Sequence, residues 1–341
     1  MYFKLHHYSG SRSHSIFKNF CYHRGLRVCH MWMCLLVSIV LIVTTATPQS
    51  PEQPFTIVSD VQFCTGGGQP LLMDVFLPKH RNRTPTPAVL WIHGGGWERG
   101  DKNGSSGAEM LAKEGFVTAS LFYRLSGDWP FPADIEDCKC AIRYLRANAA
   151  KYGIDPDRIG VAGASAGGQL AELVATAPSS AGLEGTGGWQ NVSSKVVAAA
   201  AYYGASDFTV GAMQFQHHTG KVVSKLFRGT EKEKPELYRQ ASPIVYVSKE
   251  SPPLLLAHGE EDELVPFDQS VKMVGAYRKL GVPVEFIPVK NAGHDFAQAG
   301  TSPVSPSVEE IHRKTIAFFQ LYLLSPSPGR PLRNSSTTPA Q

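Results

Sequence analysis

Gly163-Ala-Ser165-Ala-Gly167 sets a serine between two glycines with a small residue on either side. A serine alcohol is a poor nucleophile at neutral pH, so chemistry through it needs a turn that presents the hydroxyl and a base that takes its proton. The Gly-x-Ser-x-Gly pattern meets the first need when it joins a strand to a helix, since small neighbours let the chain bend and let substrate approach. Here Arg158–Ala162 reads as the strand and Gln169–Ala175 as the start of the helix. Attack on a carbonyl places negative charge on its oxygen, which needs preorganised N–H donors. His93-Gly-Gly-Gly96-Trp97 directly follows the apolar stretch Ala88–Ile92, and its glycines can turn backbone N–H groups toward a site. Gly94 and Gly95 are therefore the candidate donors, with the N–H of Ala166 as a third. Trp97 reads as a pocket wall or as core packing, and both readings stay open.

The chain has twelve histidines to supply the base, but five precede residue 47. A lone histidine in a loop is ordinarily just solvated, the reading given to His217, His218 and His312. His294 differs: in Asn291-Ala-Gly-His294-Asp-Phe296 it follows the last strand and precedes the final helix. An acid must orient that base, and Glu260-Glu-Asp262-Glu263 offers four carboxylates in a row after the strand Pro253–Ala257. Position selects the loop rather than the residue. The spacing His258-Gly-x-x-Asp262-x-x-Val265-Pro266 sets Asp262 on a turn ahead of a Pro-initiated segment and favours it, with Glu261 or Glu263 as the alternatives.

Elements that could hold these residues alternate along the chain as in βαβ architecture. Phe55–Phe63 and Leu71–Leu77 read as an antiparallel pair turned at Gly66–Gly68. Ala88–Ile92, Phe116–Tyr123, Arg158–Ala162, Val196–Tyr202, Pro253–Ala257 and Val284–Val289 read as further strands. Helical spacing appears over Ser105–Glu114, Ala133–Tyr152, Phe267–Leu280 and Val308–Leu324. The expected fold is α/β: about eight strands in a mostly parallel sheet, helices on both faces, and a less regular stretch at 204–251 as a small cap. That gives one catalytic domain over 47–324 and a Ser/Pro/Thr-rich tail, 325–341, expected to be disordered.

Together these motifs resemble the α/β-hydrolases, specifically carboxylesterases near the hormone-sensitive-lipase and BD-FAE (feruloyl-esterase-like) branch. The resemblance runs from about Ile57 to Leu324. It rests on Leu72-Met-Asp74-Val-Phe-Leu-Pro78, His93–Trp97, Tyr123-Arg-Leu125, Asp137–Gly153, Gly163–Gly168, His258–Pro266 and His294. It implies hydrolysis of carboxylic esters through an acyl-serine intermediate, with Ser165, Asp262 and His294 as the triad and neither metal nor organic cofactor. Substrates would be small-molecule or polysaccharide-linked esters, and no residue selects a feruloyl group over a short acyl chain. Asp74, Asp101 and Asp207 read as structural. A prolyl-oligopeptidase-type peptidase would share the triad, but usually carries an aromatic where Ala166 stands and an additional propeller domain. A non-catalytic hydrolase-fold binding module would be expected to lack a triad member.

The charge distribution excludes one further class. Residues 1–46 hold five basic side chains and no acidic one, and the remainder carries 28 basic against 29 acidic residues. A nucleic-acid partner needs a basic excess on the domain itself, so none is expected. The basic N-terminus precedes the apolar run Met31–Val43 and the small residues Thr44–Ala46, the layout of a secretory signal peptide. The run is short for a spanning helix, which needs about 20 residues; an uncleaved membrane anchor or a buried helix are the other readings. Secretion or periplasmic export is the expectation, which makes the cysteines matter. Cys138 and Cys140 point to different faces of one helix, so a bridge from Cys64 to either of them, or buried free thiols, are the alternatives. Asn82, Asn103, Asn191 and Asn334 begin glycosylation sequons. The sequence fixes no oligomeric state.

Overall fold

In the computed structural model the described residues are 53–81, 83–209 and 217–324. The proposed signal segment, the tail after Leu324 and part of the 204–251 stretch lie outside them. Among the described residues no helix is long and apolar enough to cross a membrane.

Among the described residues, eight strands form one sheet: β1 (Phe55–Gly66), β2 (Gln69–Pro78), β3 (Thr86–Ile92), β4 (Val117–Leu121), β5 (Ile154–Ala164), β6 (Ala199–Tyr202), β7 (Leu254–Gly259) and β8 (Val284–Val289). Their spatial order is β1-β2-β4-β3-β5-β6-β7-β8. The β1–β2 and β2–β4 pairs are antiparallel and all others parallel, which is the α/β-hydrolase fold. Strands buried on both faces send alternate side chains to opposite sides. β3 shows this directly: Ala88, Leu90 and Ile92 join one core, Val89 and Trp91 the other.

The first core is covered by α2 (Ala133–Ala147), α4 (Ala166–Thr176) and α7 (Asp268–Leu280), the second by α1 (Ser106–Lys113) and α8 (Val308–Phe319). The expected helix Ala133–Tyr152 is two: Asn148 ends α2 by donating its side-chain amide to Tyr144 O at 3.0 Å, and α3 (Ala149–Tyr152) follows. Such side-chain bonding to the backbone competes with helix continuation. The expected helix Val308–Leu324 is likewise α-helical only to Phe319, with a wider π turn over Gln320–Leu324. The described part of the 204–251 stretch contains α5 (His217–Leu226) and α6 (Pro235–Gln240).

The parallel registers decide where the candidate site lies. Ile92 of β3 pairs with Gly163 of β5, Ala164 with Tyr202 of β6, and Gly259 of β7 with Val289 of β8. The loops bearing His93–Trp97, Ser165, Asp262 and His294 thus leave the same carboxyl edge of the sheet, where open α/β sheets bind ligands.

Cys64 is joined to Cys140 by a disulfide across a sequence separation of 76, tying β1 to α2, while Cys138 is free and buried. Closing a loop of that length removes unfolded-chain entropy worth about 4–5 kcal/mol. Reduction, or Cys64→Ser, is expected to lower Tm by on the order of 10 °C; unchanged calorimetric melting with and without reductant would refute a stabilising role.

Candidate active site

The Ser165 turn is built by close backbone approach. Ser165 has φ 56° and ψ −119°, outside the ordinary regions for a side-chain-bearing residue. Its N–H donates to Tyr202 O at 2.9 Å and its carbonyl accepts from Gln169 N–H at 3.0 Å, so β6 and the start of α4 hold the strained residue from both sides. A Cβ at Gly163 would lie 2.2 Å from Gly167 O, and one at Gly167 would lie 2.1 Å from Ile92 O. Both flanking glycines are therefore required by packing: no side chain fits where the turn crosses β3.

The structure brings the three predicted catalytic side chains together. Ser165 Oγ donates to His294 Nε2 at 2.8 Å, and His294 Nδ1 donates to Asp262 Oδ2 at 2.7 Å. Of the four adjacent carboxylates only Asp262 is buried; Glu260, Glu261 and Glu263 are exposed. Burial alone would raise the Asp262 pKa. Hydrogen bonds from His258 and His294, the His294 charge and the Val265 N–H together outweigh it and hold the group well below the ordinary carboxylate range. Its Oδ1 accepts from the N–H groups of Leu264 and Val265, each at 2.9 Å. An acid ionised far below neutral pH can orient His294 and stabilise its cation without itself taking the proton.

His258 was not singled out from sequence. It is fully buried, with Nε2 2.9 Å from Val265 O and 3.3 Å from Asp262 Oδ2. Two acceptors at Nε2 put the ring proton there, and Nδ1 then accepts from Ser270 Oγ at 2.7 Å. The spacing His258-Gly-x-x-Asp262 was the available signal. Tyr203 was also missed: its ring packs against His294 at 4.7 Å between centroids.

His93 organises the glycine loop. Its ring stacks on Tyr123 at 4.2 Å, Nδ1 lies 2.7 Å from Gly94 O, and Tyr123 OH donates to His93 O. Gly95, Gly96 and Trp97 all have positive φ, and a Cβ at Gly95 would sit 2.1 Å from Arg99 O. A Cβ at Gly94 would sit 3.2 Å from Ser165 Cβ, so the loop backbone borders the nucleophile. Trp97 satisfies both readings: it is 3% exposed, donates Nε1–H to Gln169 Oε1 at 3.0 Å, meets Phe208 edge-to-face, and still lines the cleft. That cleft, of about 220 Å³, is bounded by the glycine loop, Ser165, His294, Val265 and, from α5, Thr219 and Val222. Asp74 accepts from Asp60 N–H and Lys102, and Asp207 from Thr209, so both hold loops.

The sequence model of the BD-FAE family matches residues 73–277, more than half of the chain and all of the elbow and glycine loop. The chain belongs to the BD-FAE family. Among curated relatives, Esterase LipQ of Mycobacterium tuberculosis is 33% identical over 71% of this chain and 58% of its own length. The chain spans 54–64% of the first three curated relatives it matches. A truncated carbohydrate esterase from gut microbiota superposes with TM-score 0.69 at 29% identity, covering 80% of this chain and 99% of that one. A bifunctional GH43-CE protein of Bacteroides eggerthii gives TM-score 0.67 at 30% identity, over 78% of this chain and 38% of its own.

Because only Asp262 reaches His294, Asp262→Asn is expected to lower kcat by on the order of 10⁴, and Glu261→Gln by less than about threefold, the range of an exposed charge. Steady-state kinetics on one ester checks both, and equal losses would place the acid elsewhere.

Proposed function

We propose that this protein is a serine carboxylic ester hydrolase whose catalytic triad is Ser165, His294 and Asp262. One observation carries the reading: the unbroken relay from Ser165 Oγ through His294 to a buried, fully hydrogen-bonded Asp262, with distances of 2.8 and 2.7 Å. Ser165 Oγ attacks the ester carbonyl carbon as His294 Nε2 accepts its proton. The N–H groups of Gly94, Gly95 and Ala166 receive the negative charge that develops on the carbonyl oxygen. Collapse of the tetrahedral adduct breaks the carbon–oxygen bond to the alcohol, and His294 returns the proton to that leaving oxygen. Water, deprotonated by the same imidazole, then attacks the acyl-serine. The second collapse releases the carboxylic acid and restores the serine hydroxyl.

Trp97 is the proposed wall of the substrate cleft, and α5, with the stretch around it, the proposed cap. A cleft of about 220 Å³ is below the 300–1,000 Å³ range of drug-sized sites, which favours short acyl groups. A second cleft, lined by Glu260, Glu261 and Glu263, opens at His294, and the resemblance to a carbohydrate esterase makes acylated polysaccharide a candidate substrate alongside small esters. Export fits the disulfide, which persists in oxidising compartments.

The full-length protein is expected to hydrolyse p-nitrophenyl acetate, and Ser165→Ala to reduce kcat by on the order of 10⁶. Across acyl lengths kcat/KM should peak at acetyl to butyryl and fall at least about tenfold by octanoyl. Unchanged turnover in Ser165→Ala would sink the assignment; equal rates on long chains would sink the short-acyl reading.

A further inference from the structure

Glu172 lies two turns beyond Ser165 on α4, and it is fully buried. Helices seldom bury a carboxylate without a cation, and among the described residues none is at hand here. On α2, which packs on α4, Lys139 and Arg143 are both taken by Glu184, and Arg124 takes Asp137. Asp134, also on α2, accepts from its neighbour Ile135 N–H. On α7 the inward residues are Gln269, Ser270, Met273, Val274 and Tyr277, so that helix presents one titratable group to the interior, the Tyr277 phenol. From the turn at Pro243–Tyr246, Tyr246 donates to Gln240 O.

The partner Glu172 does have is Ser206, whose hydroxyl donates to its Oε2 at 2.6 Å. Ser206 belongs to the segment Tyr203–Phe208 that follows β6, and each end of that segment touches the active site. Tyr203 packs on the His294 ring, and Phe208 meets Trp97 edge-to-face. Between them Asp207 N–H donates to Gln269 Oε1 at 2.7 Å, which fastens the segment to α7 as well. At Gly204 the backbone is so close to α4 that a Cβ would lie 2.7 Å from Gln169 N and 3.0 Å from Glu172 Oε1. Glu172 Oε1, Gln269 Nε2 and Tyr277 OH find no hydrogen-bond partner among the described residues. The Ser206 contact is thus the one side-chain hydrogen bond that offsets the burial of this carboxyl.

We propose that Glu172 is a positioning residue: through Ser206 it clamps Tyr203–Phe208 onto the helix that carries the nucleophile, and the segment in turn holds His294 and Trp97 in place. The inference rests on the ester-hydrolase reading above. Burial, only partly offset by the Ser206 bond, pushes the Glu172 carboxyl up to about 8, so at neutral pH it is a neutral acid. Above that pH a negative charge appears inside the core with no cation to meet it; the Ser206 bond favours that charge but does not outweigh its desolvation, so the packing of Tyr203–Phe208 on α4 loosens. Stability follows the same group. The folded chain keeps a proton that the unfolded chain releases above the ordinary glutamate range, so its contribution is full at low pH and declines as pH rises toward 8.

The test compares full-length wild type, Glu172→Leu, Glu172→Gln and Ser206→Ala in kcat and KM for p-nitrophenyl acetate across pH 5–10, with Tm over the same range. Glu172→Leu and Ser206→Ala are expected to lower kcat at pH 7 about fivefold or more, as misplaced catalytic groups do, with KM within about twofold. Glu172→Gln, which still accepts from Ser206 but cannot ionise, is expected to rescue kcat and to lack the decline above pH 8. Its Tm should equal that of wild type near pH 5 and exceed it increasingly toward pH 8. Wild-type kcat in both Ser206→Ala and Glu172→Leu overturns the inference, and so does an alkaline decline shared by wild type and Glu172→Gln. A wild type that turns over no ester removes the ester-hydrolase reading and this role together, whereas the other two outcomes remove this role alone.

Discussion

A carboxylate with no exposed side-chain surface has to remain ionised beside His294, and the architecture of the carboxyl edge follows from that demand. Asp262 meets it with two backbone N–H groups on one oxygen and two histidine rings on the other. The backbone donors exist because the chain turns at Leu264–Val265. The second ring, His258, stays in place because Ser270 at the start of α7 fixes its far side. β7, the acidic loop and α7 therefore act as one cradle. A buried ion that lost one of these donors would be left with an uncompensated desolvation cost of several kcal/mol.

Ser165 is held by different means, backbone sterics. Three segments cross within van der Waals contact at the elbow: the end of β3, the end of β5 and the first turn of α4. Gly163 and Gly167 are the points of contact, and any side chain there would collide with a carbonyl. Such crowding lets Ser165 keep a φ of 56°, because relaxing it would break packing with both neighbours. His93 and Tyr123 do for the glycine loop what α4 does for the serine, fixing a turn of consecutive positive-φ residues from beneath. The elbow and the glycine loop bound one side of the cleft for this reason, and Thr219 and Val222 of α5 border it from the other.

Most of the sheet was legible in the sequence because buried parallel strands write themselves as short apolar runs. Val284–Val289 has the limits expected of it, and the turn after β1 falls at the glycines as anticipated. The errors sit where tertiary contacts or side-chain bonding override local pattern. Asn148 interrupts a helix whose apolar spacing continues past it, by bonding back to Tyr144. Residues 154–157 extend β5 because Ile154 pairs with Thr86, a contact that local propensity around Pro156 does not suggest. Trp97 could not be assigned between core and cleft because it belongs to both, and periodicity has no way to express a residue that closes a core with one face and lines a cavity with another.

The sequence by itself determined the candidate site: a serine between obligatory glycines, a glycine loop after a strand, and an acid and a histidine in later loops. Those residues carry information locally, since a tight turn or a strand end demands particular residue types at fixed spacing. It also narrowed the acid to one loop of four carboxylates. Spacing favoured Asp262 within it, but the burial and reach to His294 that single it out among the four depend on how β7 and β8 pair. The same holds for Cys64 choosing Cys140 over Cys138, which follows from the face of α2 that meets β1. Tyr203 and Glu172 were invisible for a related reason: each acts through a neighbour distant along the chain, and their type and spacing say nothing until the sheet has set those neighbours side by side.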